Sequence, residues 1–237
     1  MRTYRTTTGP FTERPYYKDE EIETICTDEL RAVGLFPATP GPVRIDRLIE
    51  KRFGVTPRYE KLGENILGFT VFGAEGVQDV VVAKALDEEG NKTADRRIRT
   101  TLAHEAGHGL LHTHLFFLGK GSRPLFGDFT NPDKPRVLCK EVPVAPGFKN
   151  PGYDGRWWEF QANRTIGPLL LPRLLVQTAL EPLHVARGSL GIKVLDPSRY
   201  EEAVKNLADL FNVNPIVARI RLQDLYLPQR EERQLSL

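Results

Sequence analysis

The chain has 237 residues, 40% hydrophobic and 27% charged, an ordinary globular composition with enough apolar material for one sizeable core. Its 33 basic and 31 acidic residues leave a net charge of +2, so no global charge argues for nucleic acid or a membrane surface as partner. The only two cysteines, Cys26 and Cys139, form no C-x-x-C pair, which excludes a disulfide scaffold and points to a reducing, cytoplasmic compartment.

Residues 1–17 mix Thr, Pro, Arg and Tyr without periodicity and predict an extended arm. They contain no apolar h-region, which argues against a secretory signal. Acids at the start of "KDEEIETICTDELRAVGLF", then Ile22, Ile25, Leu30, Val33 and Leu35, predict a helix. "ATPGPVRIDRLIEKRFGV" predicts a second, with Val43, Ile45, Leu48, Ile49 and Phe53 as its apolar stripe and Gly54 as its stop. The period then changes: "NILGFTVFG" and "VQDVVVAK" are short, β-branched or aromatic, and predict two strands around the turn "AEG". After the loop "DEEGNK", helical spacing returns from about Thr93 and runs through His112.

Residues 115–156 are rich in Gly, Pro and Asp, with one strand predicted in "RVLCKEVPV". An irregular segment this long usually has a functional role, here as a lid or a shaper of substrate choice. "WWEFQANRTIGPLLLPRLLVQTAL" is helical again at least at its start, and Pro168 predicts a kink within it. Its run "IGPLLLPRLLV" is too short and too broken to span a bilayer. Two short helices close the chain. Ala203, Val204, Leu207 and Phe211 line the first; Ile216, Val217, Ile220 and Leu225 line the second, which opens on the Asn214–Pro215 cap pair. The predicted organisation is an arm over 1–17, a main domain over 18–195, and a C-terminal helical pair with tail over 196–237. The fold class is α+β, helix-rich, with a small sheet.

Chemistry concentrates in "TLAHEAGHGLLH". On a helix His104 and His108 lie about one turn apart, and their imidazoles can converge on one ion. Glu105 is rotated by about 100° from His104. It points beside the ion, where a carboxylate can take the proton from a water that the ion acidifies. Chance copies of the pattern belong on exposed polar helices. This one is flanked by Leu102, Ala103, Leu110 and Leu111, and buried imidazoles and carboxylates are costly unless paired or coordinated. Gly107 and Gly109 each cost a helix interior up to about 1 kcal/mol relative to Ala, and close approach of another backbone would account for them.

Two residues compete as third ligand. His114 stands at the metzincin offset, but that pattern needs Gly where Leu111 stands and a Met-turn, whereas the only methionine is Met1. Glu159, in "WWEFQANR", is the better candidate, with small Ala162 one turn on to let its helix approach Gly107. An acid at a helix start is equally ordinary, so spacing leaves ligand and helix-start roles level. Two histidines and one glutamate would leave a fourth position open, as in catalytic rather than structural zinc sites.

"RRIRTTLAHEAGHGLLH" followed by "EFQANRTIGPLLLP" resembles the ImmA/IrrE metallo-endopeptidase family in motif order and content. Thr101, Leu102, Ala103, His104, Glu105, Gly107 and His108 fit the first motif; Glu159, Ala162, Asn163, Leu169, Leu170 and Pro172 fit the second. The likeness covers about residues 20–176, with departures at Thr165, Ile166 and Pro168 and in the long segment before Glu159. It implies a zincin-like, gluzincin-type fold, with His104, His108 and Glu159 as ligands to Zn2+ (Mn2+ or another divalent ion as alternative) and Glu105 as general base. It also implies a cytoplasmic peptidase that cleaves a helix-turn-helix transcriptional repressor, derepressing stress or transfer genes, with no membrane partner.

Asn163 is a candidate to orient a ligand from behind, or a helix-face amide bonded to backbone. His112, one turn beyond His108, is a candidate for the same role or for simple packing. His112, His114 and Tyr153 are candidates for a second oxyanion donor. Cys139 reads as a small buried hydrophobe, or as a group that tunes the ion if its loop folds in. The rival reading is a DNA-binding or metal-binding regulator acting without proteolysis. "LADLFNVNPIVARIRLQDL" resembles a helix-turn-helix, with Arg219, Arg221 and Gln223 available on its second helix.

Overall fold

The computed structural model describes residues 2–5, 13–73, 75–118, 136–140, 157–187 and 192–226. The N-terminal stretch holds two short strands, β1 (Arg2–Arg5) and β2 (Glu13–Tyr16), paired antiparallel. The described residues of this stretch are extended and pair with each other. Helix α1 (Asp19–Ala32) opens on three acids in its first turn, and Glu21 accepts a hydrogen bond from the Lys18 backbone N–H at 2.8 Å. Ile22, Cys26 and Leu30, each four apart, form its buried stripe. Helix α2 (Ile45–Phe53) ends where predicted: Gly54 adopts φ 73°, a left-handed conformation that glycine reaches without steric cost.

Four strands make the main sheet: β3 (Arg58–Glu60), β4 (Ile66–Gly73), β5 (Gly76–Ala83) and β6 (Arg136–Lys140), in the order β3-β5-β4-β6. β4 runs antiparallel to both β5 and β6, and β3 runs parallel to β5. Sequence reading predicts β4 and β5 and places a strand in "RVLCKEVPV", which contains β6. It does not predict the three-residue β3, which has no room to display a period. A short helix, α3 (Lys84–Glu88), begins directly at the end of β5, so Lys84 belongs to it and not to the strand.

Helix α4 (Lys92–Leu118) has 27 residues, about 40 Å at the standard rise. It runs six residues beyond His112, so His114 stays helical. Its central stretch, residues 101–109, is buried throughout. The sheet lies on one side of it, α2 on another and α5 (Trp157–Leu170) on a third. Pro168 sits in the last turn of α5, and the helical bond from Leu171 N–H to the Gly167 carbonyl persists at 2.8 Å. A proline this near a C-terminus displaces few helical bonds, and the helix ends two residues later.

Beyond α5 come α6 (Arg173–Leu180), the hairpin β7 (His184–Arg187) and β8 (Ile192–Leu195), α7 (Tyr200–Leu210) and α8 (Pro215–Tyr226). The C-terminal pair shares one apolar core with α1, α2, the sheet, α4 and α5: Leu207, Phe211 and Leu222 belong to the same buried cluster as Ile22, Leu48, Val80 and Leu102. Buried side chains of this size contribute about 1.5–3 kcal/mol each. Cations fasten the seam. Arg96 donates to the Ala208 carbonyl at 2.9 Å, and Arg99 donates to the carbonyls of Asn212 and Val43, each at 3.0 Å.

The deepest of these is Arg221. Its side chain is 3% exposed, and it donates to both Glu23 oxygens at 2.7 Å and to the Leu171 carbonyl at 2.9 Å. Removing one partner of such a pair leaves a buried charge uncompensated. Glu23→Ala is therefore expected to destabilise the protein by about 3–5 kcal/mol, read as a lowered midpoint in urea unfolding.

Candidate metal centre

The site forms where α5 crosses α4. A Cβ added to Gly107 would collide with Thr165 Oγ1 and come within 3.1 Å of the Ala162 carbonyl oxygen. Thr165 cannot simply swing away, because its hydroxyl donates to the Ala162 carbonyl at 2.7 Å. Gly107 thus permits the crossing, as its place in the motif predicts. Gly109 answers to a ring and not to another backbone: its added Cβ would meet Phe53 of α2 at 2.5 Å. Gly107→Ala is expected to destabilise the fold by about 1–3 kcal/mol through overpacking, despite alanine's better helix propensity. Thermal unfolding checks it.

The crossing carries Glu159 to the two histidines. His104 Nε2 lies 2.9 Å from His108 Nε2 and 3.2 Å from Glu159 Oε2; His108 Nε2 lies 3.6 Å from Glu159 Oε1. These three residues form a group that could hold a metal ion, each offering one ligand atom, all within 4.8 Å of one another. His104 is 3% exposed and His108 fully buried. Glu105 is fully buried as well and stands outside the ligand group. Its Oε2 accepts from Thr70 Oγ1 on β4 at 2.6 Å, while its Oε1 has no hydrogen-bond partner. A Cβ on Gly68, two residues back along β4, would stand 3.3 Å from that Oε1.

Electrostatics follow from burial. Desolvation pushes the Glu105 carboxyl up to about 8, against the lowering influence of His104 and the Thr70 hydroxyl. Burial likewise opposes the Glu159 carboxylate, but the two imidazoles outweigh it and hold its pKa well below the usual range. At His104, burial disfavours the imidazolium, yet the hydrogen bond and charge of Glu159 prevail and raise its pKa. Burial lowers that of His108. It also lowers that of His112 far more, together with the charge of His108.

His104 is oriented from behind. Its Nδ1 lies 3.0 Å from Asn163 Oδ1. An amide oxygen only accepts, so Nδ1 donates and the neutral ring keeps a bare Nε2. That bare nitrogen faces a carboxylate oxygen and a second imidazole nitrogen. Such a cluster needs positive charge among its acceptors, from a proton or a metal ion. Glu159 Oε1, buried without a hydrogen bond, makes the same demand. Two imidazole nitrogens and a carboxylate suit zinc and similar divalent ions, so the residues present fit the group.

Sequence reasoning names His104, His108 and Glu159 as candidates, and the structure brings them together, with Asn163 bonded to His104. His112 lies against His108, its Nδ1 3.0 Å from His108 Nδ1. His114, six residues past His108, is turned by about 240° around α4 and takes no part in the ligand group. Tyr153, most of residues 115–156 and the side chain of Cys139 lie outside the described residues; the backbone of Cys139 pairs opposite Gly68. Thr70 and Gln161 were missed. Thr70 had one weak signal, a polar residue in an otherwise apolar buried strand. Gln161 had none.

No protein-family model matches the chain, and no curated protein matches it. Among the described residues no helix is long and apolar enough to cross a membrane.

Proposed function

We propose that this protein is a metal-dependent endopeptidase of the zincin-like, gluzincin type. The observation that carries the reading is the convergence of His104, His108 and Glu159 beside a buried Glu105 whose Oε1 has no partner. The likeness of the two motifs to the ImmA/IrrE family supports the same assignment. His104 and His108 would hold the ion through Nε2 and Glu159 through its carboxylate, with zinc the expected metal and manganese the alternative. Bound there, the ion supplies Lewis acidity, lowering the pKa of a water towards about 7 and polarising a carbonyl.

The remaining work falls to the protein's own groups. Thr70 holds one oxygen of Glu105, so the carboxylate presents the other to accept a proton and pass it to the leaving amine. Asn163 fixes His104 in the tautomer that points a lone pair at the ion. The substrate class proposed is a cytoplasmic helix-turn-helix repressor, by analogy with the family that the motifs resemble. Against the competing DNA-binding reading, Arg221 is buried on Glu23 and the Leu171 carbonyl, while Arg219 pairs at the surface with Glu201 at 2.5 and 2.7 Å.

Glu105→Gln is expected to lower cleavage of a helix-turn-helix repressor substrate by about 10²–10⁴-fold while zinc content stays at one ion per chain. His104→Ala should lose both. Band loss on gels and metal analysis of the same samples check this, and wild-type cleavage by the Gln variant would remove Glu105 from the mechanism. Chelation should abolish cleavage and added zinc restore it; activity that survives full metal removal would sink the assignment.

A further inference from the structure

Behind His108 runs a chain of hydrogen bonds that ends on backbone. The Pro15 carbonyl only accepts, so Gln161 must turn its amide Nε2 to it, at 2.7 Å. That orientation leaves Gln161 Oε1 facing His112 Nε2 at 3.0 Å, and an amide oxygen cannot donate. His112 therefore carries its hydrogen on Nε2 and offers a bare Nδ1. His108 Nδ1, 3.0 Å away, must donate to it. The lone pair of His108 is then left on Nε2, the atom that faces His104 and Glu159. Pro15, Gln161, His112 and His108 are all buried, so the direction of each bond is set by these partners.

We propose that Gln161 and His112 are positioning residues that lock His108 into the tautomer able to bind a metal ion, with the N-terminal hairpin as the fixed end of the relay. The inference rests on the metal-site reading above and extends it to residues that touch no ligand position. A neutral imidazole otherwise carries its hydrogen on either nitrogen, and a site that needs one tautomer is weakened by the population of the other. Partners behind a metal-binding histidine are worth about 10–100-fold in affinity.

The test combines histidine tautomers, read by long-range 1H–15N NMR on the full chain, with zinc affinity from chelator competition. In the wild type, His112 should carry its hydrogen on Nε2 and His108 on Nδ1. In His112→Phe, which keeps a ring and removes the acceptor, His108 should no longer hold its hydrogen on Nδ1 alone. Gln161→Leu and His112→Phe should each bind zinc about 10–100-fold more weakly, with unchanged circular dichroism. The relay is wrong if wild-type His112 is protonated on Nδ1, or if both folded variants bind zinc within twofold of wild type. Should a variant fail to fold, the wild-type spectrum decides. A wild-type chain that takes up no zinc overturns the metal reading instead, and the His112 tautomer in the zinc-free protein then decides the relay by itself.

Discussion

The contact between α4 and α5 at Gly107 is the constraint on which the rest depends. The two imidazoles belong to one helix and the carboxylate to the other, so the cluster exists only because the helices approach until Thr165 and the Ala162 carbonyl occupy the volume of a missing side chain. A helix interior accepts the conformational cost of glycine here because the approach brings Glu159 and Asn163, one turn apart on α5, to the same imidazole. The sheet packs on α4 as well, and Thr70 of β4 reaches Glu105 across that second interface.

Two buried polar clusters in this protein contrast in a way that bears on function. Around Arg221 the account closes: Glu23 supplies both oxygens, Leu171 supplies a carbonyl, and the charges cancel. That cluster ties α8 to α1 and to the end of α5. Around His104 it stays open: two imidazole nitrogens crowd against a carboxylate, and Oε1 of Glu105 and Oε1 of Glu159 are buried without a hydrogen bond. A low-dielectric interior tolerates such an arrangement only with added positive charge. The first cluster has the character of a structural fastening, the second that of a binding site.

The C-terminal helices illustrate how a local pattern can suggest one role and packing another. Their spacing and cap suit a helix-turn-helix, yet they complete the core that α4 also lines, and Arg221 is buried on a carboxylate and a carbonyl of the same chain. Arg96 and Arg99 of α4 bond to carbonyls of α7 and of the turn that follows it, which ties the pair to α4.

Local order was legible in the sequence wherever it rests on near neighbours. The four-residue spacing of Ile22, Cys26 and Leu30, the stop at Gly54, the β-branched runs of β4 and β5, and the separation of His104 from His108 all follow from backbone periodicity, which needs no knowledge of distant residues. What stayed hidden depends on meetings between segments far apart in the chain. Spacing left Glu159 level between ligand and helix-start acid, because the crossing of α4 and α5 alone decides which it is. Gln161 carries no periodic signature, and its partners at Pro15 and His112 stand 146 and 49 residues away. The strand β3 and the two hairpins were too short to show a period, and they exist because another strand lies beside them. The sequence by itself determined which groups can do metal chemistry and on what elements they ride; tertiary packing decided which carboxylate reaches them, which tautomers they adopt and which charges stay unpaired, since those depend on distances that only the folded chain sets.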